Sequence, residues 1–411
     1  MPLITASKRV LVRLRFLILA LWAVPWTFDM FPRLILASDW WRFEYGAREL
    51  SGQLAHFTPI DGGALHIYTW IPSLQVGPPA LLAAVPFQFL NAWVGRIAAA
   101  VLMLLVGLGV LVLLERIAAL KGLEAERTRS LTLLGGAFFI PAWCVLSVFY
   151  MHLDDVIVLS LAVVAMHEAL RGRWWWASLA LGVAAATKPW AIAFIPILLL
   201  IPRRRRSQAM LTTIGAAAVW WAPFLIAAPG TLQASGSYGS ATAKDSTLNL
   251  IGQSQSYGVE RLGQMFLMVL VGWLVVRSGR WPALMAAVVA VRMITDPQTW
   301  LYYAVGLVLG ALIGDVLTAR SRWPRMTIAA TGLLLLESRI SEQVGGPPHG
   351  GQHFLAAVRA ALLLALVVYL VWPAHSAVGP TPIDGPEAAD RLAAPDAEGA
   401  QPLSSSAAPT R

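Results

Sequence analysis

The chain has 411 residues, of which 57% are hydrophobic and 13% charged, with a formal net charge of +9. A soluble globular chain carries about 25% charged residues, so this one has too few to clothe a water-facing surface. The excess charge is mostly Arg, set in short clusters between apolar runs, which suits membrane topology and anionic headgroups; membrane lipids are expected partners and nucleic acid is not. A lone cysteine, Cys144, excludes an internal disulfide framework and a Cys-based zinc site.

The N-terminus reads KRVLVRLR and then FLILALWAVPWTF, without an A-x-A-like cleavage site. It predicts an uncleaved first membrane helix ending near Phe28, with Lys8, Arg9, Arg13 and Arg15 holding the start inside. The polar, aromatic stretch from Asp29 to Gly77 then forms an outer loop with helices lying on the membrane surface. Within it, SDWWRFEYGARELSG repeats Asp39, Trp40, Phe43, Ala47 and Leu50 at spacings of three and four, while Arg42, Glu44, Arg48 and Glu49 fall largely elsewhere. Asp39 is either a helix cap after Ser38 or a reactive carboxylate just outside the bilayer.

The run Gly77 to Trp93 carries Pro78, Pro79 and Pro86, and arginine parity requires it to dip and return or to lie in the interface. Arg116, Lys121, Arg127 and Arg129 mark the next inner loop. Arg171 with Arg173, the run Arg203 to Arg206, Arg277 with Arg280, and Arg320, Arg322 and Arg325 mark the later ones. Between them fall outer turns at His152–Asp155, Lys188–Trp190, Pro229–Arg261, Thr295–Trp300 and Glu337–His353. The alternation predicts an all-α polytopic protein with about 12 crossings and both termini inside. Residues 1–372 form the transmembrane domain, and the Ala-, Pro- and Ser-rich segment 373–411 is expected to be a disordered cytoplasmic tail.

Few ionisable groups survive in the apolar runs. FYMHLDDVIVL places His152, Asp154 and Asp155 in one short turn, either a hydrated cap or a functional cluster. Carboxylates there suit Mg²⁺ or Mn²⁺, but no further ligand spacing supports a metal; no cofactor is expected, a divalent ion being the lesser alternative. Lys188 in AAATKPWA must snorkel, pair with an acid or meet an anionic ligand. Arg292 lies one turn before Asp296 and could pair with it; a phosphate would explain Arg292 and Lys188 together. Aromatics including Tyr68, Trp190, Tyr302 and Tyr303 crowd the outer turns, as an interfacial belt or as a substrate-contacting surface. The polar segment from Gly230 to Gly258 could bind an acceptor or gate the site.

Taken in order, SDWWRFEYGARELSG, YTWIPSLQVGPPALL, HLDD, RGRWWWASLALGVAAATKPWAIAFIPILLL and TDPQTWLYYAVGL resemble the GT-C class of membrane glycosyltransferases. Over roughly Phe16 to Tyr303 the chain looks like a member of glycosyltransferase family 87, bacterial mannosyltransferases that use polyprenyl-phosphate donors. The resemblance implies a GT-C fold in the bacterial plasma membrane with its site facing outward. It implies a polyprenyl-phosphate sugar donor, a glycolipid or glycan acceptor, and Asp39 as the base on the acceptor hydroxyl. Lys188 and Arg292 are then expected on the donor phosphate, and His152, Asp154, Asp155, Asp296, Tyr302 and Tyr68 around the substrates. Ile71-Pro72-Ser73-Leu74 and His152-Leu153-Asp154-Asp155 depart from the family's usual Tyr-Pro-Pro-Leu and Gly-Gln-x-Asn runs. A transporter or flippase is the rival reading, but its site belongs near the bilayer midplane between repeats, and no repeat is visible.

Overall fold

In the computed structural model the described residues are 10–36, 39–52, 60–237, 239–318, 321–333 and 350–372. Lys8, Arg9, Ser38, Arg320, most of the expected Glu337–His353 turn and the expected tail 373–411 lie outside them. The described residues are almost wholly helical. The main helices are α1 (Arg15–Leu36), α2 (Trp40–Ser51), α3 (Pro78–Gln88), α4 (Ala92–Leu120), α5 (Ala125–Cys144) and α6 (Leu153–Leu170). They continue with α7 (Trp174–Thr187), α8 (Arg206–Ala227), α9 (Gly258–Arg277), α10 (Leu284–Thr295), α11 (Tyr303–Leu317) and α12 (Gly350–Val371). Among the described residues five helices are long and apolar enough to cross a membrane: Ala92–Leu120, Ala125–Phe149, Arg203–Ala227, Gly258–Arg277 and His353–Val371. Shorter apolar helices cover Pro189–Leu200, Trp281–Thr295 and Tyr303–Leu317.

Local chemistry sets the breaks. Pro78 and Pro79 occupy the first turn of α3, where a missing N–H costs no hydrogen bond. The helix has 11 residues, about 16 Å at 1.5 Å per residue, half of what a crossing needs. The chain turns at Phe89–Asn91, and the Asn91 side chain accepts the Trp93 N–H to start α4. α7 ends at Lys188, which is extended (φ −153°, ψ 121°), because the following Pro189 disfavours helical backbone before it. From Pro189 the chain runs in 3-10 geometry to Leu200.

α10 and α11 are apolar all round and buried along most of their length, the mark of central helices. A Cβ on Gly310 would lie 2.2 Å from the Ala286 nitrogen, so glycine permits their backbones to touch. α8, α9 and α12 instead expose Leu211, Ile214, Val219, Ile226, Phe266, Phe354 and Leu364, as helices facing hydrocarbon do. The expected inner marks gather with one another. Lys121 lies over the Trp281 ring, Arg205 near Trp174, and Arg15 donates to Glu115 at 2.6 Å.

The polar segment after α8 is ordered where described. It holds short helices at Thr231–Ser237 and Thr247–Leu250 and an antiparallel pair, β1 (Ser240–Ala241) with β2 (Gln255–Ser256). The Ala243 N–H bonds the Pro297 carbonyl at 2.7 Å, and the Thr299 hydroxyl donates to Asp245 at 2.5 Å. The segment is therefore tied to the 296–299 turn.

Candidate active site

Five segments far apart in sequence deliver charged side chains to one end of the bundle. The turn into α6 is built first. The backbone after α5 widens into a π turn over Val145–Phe149, and Met151 takes φ +53°. Met151 is the described non-glycine residue with positive φ, a strained state that persists only where the surroundings enforce it. Its neighbour His152 bonds back through its N–H to the Leu146 carbonyl at 3.0 Å. The imidazole is thereby aimed inward, stacked on the Tyr302 ring with centroids 3.9 Å apart.

Asp154 and Asp155 open α6, where the helix dipole favours negative charge. Asp154 Oδ1 accepts the Asp155 N–H at 2.9 Å and faces His152 Nδ1 at 3.3 Å. The Lys188 ammonium then sits between the two carboxylates, 2.8 Å from Asp154 Oδ2 and 2.5 Å from Asp155 Oδ2. Asp155 Oδ1 also accepts the Trp190 indole N–H at 3.2 Å and lies 3.6 Å from Arg292. Of the three fates open to Lys188, pairing with acid is the one found. Its break in the helix is held by Gly77, whose N–H bonds the Thr187 carbonyl at 2.8 Å. A Cβ there would lie 1.8 Å from the Ala186 oxygen.

Arg292 Nε is 3.6 Å from Asp296, as the one-turn spacing suggests, and the guanidinium lies 3.9 Å over Tyr303 and 4.3 Å over Trp190. Arg261, at the start of α9, adds a shorter contact of 3.1 Å to Asp296 and is a quarter exposed. Sequence reading passed over Arg261, since nothing in its local spacing connects it to a partner 35 residues on.

Asp39 arrives from the other side. Its N–H bonds the Tyr150 carbonyl at 3.0 Å, and it precedes α2 without capping it. The carboxylate instead reaches His152: Oδ2 is 2.8 Å from Nε2. Among the described residues Oδ1 has only the Arg42 Nε nearby, at 3.7 Å, and the side chain is 28% exposed. Burial alone would raise the Asp39 pKa, but the His152 hydrogen bond, with the charges of His152 and Arg42, outweighs it and holds the carboxyl below its ordinary value of 3.8. α2 seats this residue through buried Trp40, Phe43 and Ala47. Glu44 is buried on the same helix, contrary to the polar face expected for it, because Arg48 at 2.6 Å and Arg96 at 3.1 Å neutralise it.

The structure thus gathers Asp39, His152, Asp154, Asp155, Lys188, Arg292, Asp296 and Tyr302. Tyr68 does not join by contact: its hydroxyl donates to the Val76 carbonyl at 2.9 Å, and its ring packs on Trp221 and Phe224. It buttresses the segment leading into Gly77. His152, Asp154 and Asp155 each offer one atom within 4.8 Å of the others, the spacing of a cation site. The space between the two carboxylates is taken by the Lys188 ammonium, so this donor set already has its cation.

The arrangement therefore has a partly open carboxylate beside a buried floor of paired acids and cations, on a helical scaffold fit for a membrane. No curated protein and no solved structure matches the chain. Residues 77–338, more than half of the chain, match glycosyltransferase family 87; Asp39 lies before that segment. The chain belongs to glycosyltransferase family 87, and it is a membrane glycosyltransferase.

Proposed function

We propose that the protein moves a hexose, mannose by family resemblance, from a polyprenyl-phosphate donor to a glycolipid or glycan acceptor on the outer side of a bacterial plasma membrane. The arginine-marked ends define the inner side under this reading, and their alternation calls for about 12 crossings. The observation that carries it is the Asp39 carboxylate, with one oxygen held by His152 and the other open at the rim of the cluster. Asp39 takes the acceptor's hydroxyl proton as that oxygen attacks the anomeric carbon from the face opposite the phosphate. The bond from that carbon to the phosphate oxygen breaks, and its electron pair leaves with the lipid phosphate.

Charge supports a phosphate donor. Asp39, Asp154, Asp155 and Asp296 face Lys188, Arg292, Arg261, Arg42 and a protonated His152, which leaves one positive charge in excess. A sugar phosphodiester carries one negative charge. During transfer Asp39 becomes neutral while the phosphate gains a charge, and Arg292 and Lys188 lie where that charge is stabilised. Lys188 also does for Asp154 and Asp155 what a divalent ion would do, so no metal is assigned to the reaction. A site at helix ends suits a lipid headgroup, whereas a transporter's belongs at the midplane.

The test is transfer by purified protein from polyprenyl-phosphate hexoses to lipid acceptors. Asp39→Asn should lower kcat by about 10²-fold or more, the scale of a general base, with thermal stability unchanged. Near-normal transfer by that variant would move the base elsewhere, and no transfer by the wild type from any such donor would remove the donor class.

A further inference from the structure

A histidine between two carboxylates has a defined consequence. Neutral imidazole offers one N–H and one lone pair, so one of its nitrogens would turn a lone pair toward an oxygen anion. His152 meets Asp39 Oδ2 at Nε2 (2.8 Å) and Asp154 Oδ1 at Nδ1 (3.3 Å), with Asp155 Oδ2 3.7 Å from Nδ1. This geometry favours the cationic ring, in which both nitrogens donate. Its plane is fixed by the stacked Tyr302 and its backbone by the positive-φ Met151. Such fixation is more than a helix start requires.

We propose that His152 is the positioning residue of the transfer: as an imidazolium it occupies Asp39 Oδ2 and turns Oδ1 toward the acceptor hydroxyl. This rests on the reading of Asp39 as base. His152 touches no reacting atom and keeps both of its protons throughout. The acceptor proton goes to Oδ1, and the negative charge lost there reappears on the leaving phosphate. Asp154, held in turn by Lys188, anchors the far side of the ring, so the chain Lys188–Asp154–His152–Asp39 transmits the rigid floor to the open rim.

The charged and titratable groups facing the ring are Asp39 before α2, Tyr150 in the turn before α6, Asp154 and Asp155 of α6, Lys188 after α7, and Tyr302 before α11. Burial disfavours the cation, but the bonds to Asp154 and Asp39 and the charge of Asp154 outweigh burial and Lys188, raising the His152 pKa above its ordinary value of 6.5. Orientation is therefore present below that raised value and is lost as pH rises through it. This gives activity an alkaline limb.

His152→Gln and His152→Ala separate the outcomes in the same transfer assay, beside wild type and Asp39→Asn. Gln keeps one N–H donor toward Asp39 and removes the titration. It should lower kcat about tenfold, a fraction of a general base's contribution, leave the acceptor KM within about twofold, and abolish the alkaline limb. Ala should lower kcat further, again with KM little changed. An unchanged kcat in the Gln variant, an alkaline limb that persists in it, or a rise in KM at constant kcat would each overturn the proposal. Should Ala fail to fold, Gln alone decides. If Asp39→Asn is inactive while both His152 variants match wild type, this proposal fails and the glycosyl-transfer reading stands. If Asp39→Asn is also fully active, the failure lies with Asp39 as base.

Discussion

Asp39 and Asp315 are both aspartates near helix ends, and their surroundings differ in the way that separates a reagent from a structural tie. Asp315, near the end of α11, is buried and accepts from the Met326 N–H at 3.2 Å and from the Thr327 N–H and hydroxyl, each at 2.8 Å. Its donors are neutral and local, and both oxygens are spoken for. Asp39 is more than a quarter exposed, holds a histidine at one oxygen, and leaves the other without a hydrogen-bonded partner among the described residues. A carboxylate saturated by backbone donors fixes the chain; one held from a single side can still accept a proton.

The largest effect should come from the ions beneath Asp39. Asp155 receives Lys188, Trp190 and Arg292 at a site with no water-facing surface to share. Asp155→Ala leaves two buried cations poorly matched, and breaking a buried pair from one side costs about 3–5 kcal/mol. Thermal unfolding in detergent should show this as a large drop in Tm, together with loss of transfer. An unchanged Tm would mean that the floor is hydrated and that the contrast with the rim is overdrawn.

Asp315→Asn comes next and sharpens the comparison from the other side. The amide keeps one accepting oxygen and turns its NH₂ toward backbone donors, which costs about 1–3 kcal/mol. Transfer per folded molecule should stay as in the wild type, because nothing in the active cluster touches Asp315. A fall in kcat with intact stability would show that burial and saturation do not mark a carboxylate as structural.

How far the sequence reached follows the same division. The break at Lys188 was legible because proline follows it, and the short helix between Gly77 and Trp93 because three prolines crowd a short apolar run. The Arg292–Asp296 pair was legible from helical spacing. Pairings across the chain were not: His152 reaches Asp39 over 113 residues, and Lys188 reaches Asp155 over 33. No periodicity encodes such distances; only packing through close contacts such as Gly77 on Ala186 creates them. Glu44 and Tyr68 show the converse. Local pattern placed Glu44 on a polar face, yet a guanidinium pair buries it; the resemblance set Tyr68 among the substrate contacts, and its hydroxyl bonds the Val76 carbonyl. Asp315 stood alone in an apolar helix, a visible signal that only its contacts could interpret.

The smallest effect belongs to Arg42, and it tests the rim most finely. Its guanidinium is 38% exposed and 3.7 Å from Asp39 Oδ1, a distance at which an exposed ion pair is worth little, about 0–1 kcal/mol. Arg42→Gln should therefore leave stability unchanged and keep transfer at neutral pH within about twofold. Its effect is on titration. The Asp39 carboxyl is held below 3.8, with burial opposing and His152 and Arg42 assisting, so the base is ionised, and activity is present, above that lowered value and is lost as pH falls through it. Removing Arg42 takes away one assisting charge but leaves the His152 bond. The acid limb should move upward, toward 3.8, while any alkaline limb set by His152 stays in place. A pH–rate profile measured on the same preparation reads both. An acid limb that does not move would show that solvent already screens Arg42 from the carboxylate, and an equal shift in Asp315→Asn would show that the limb belongs to unfolding rather than to Asp39.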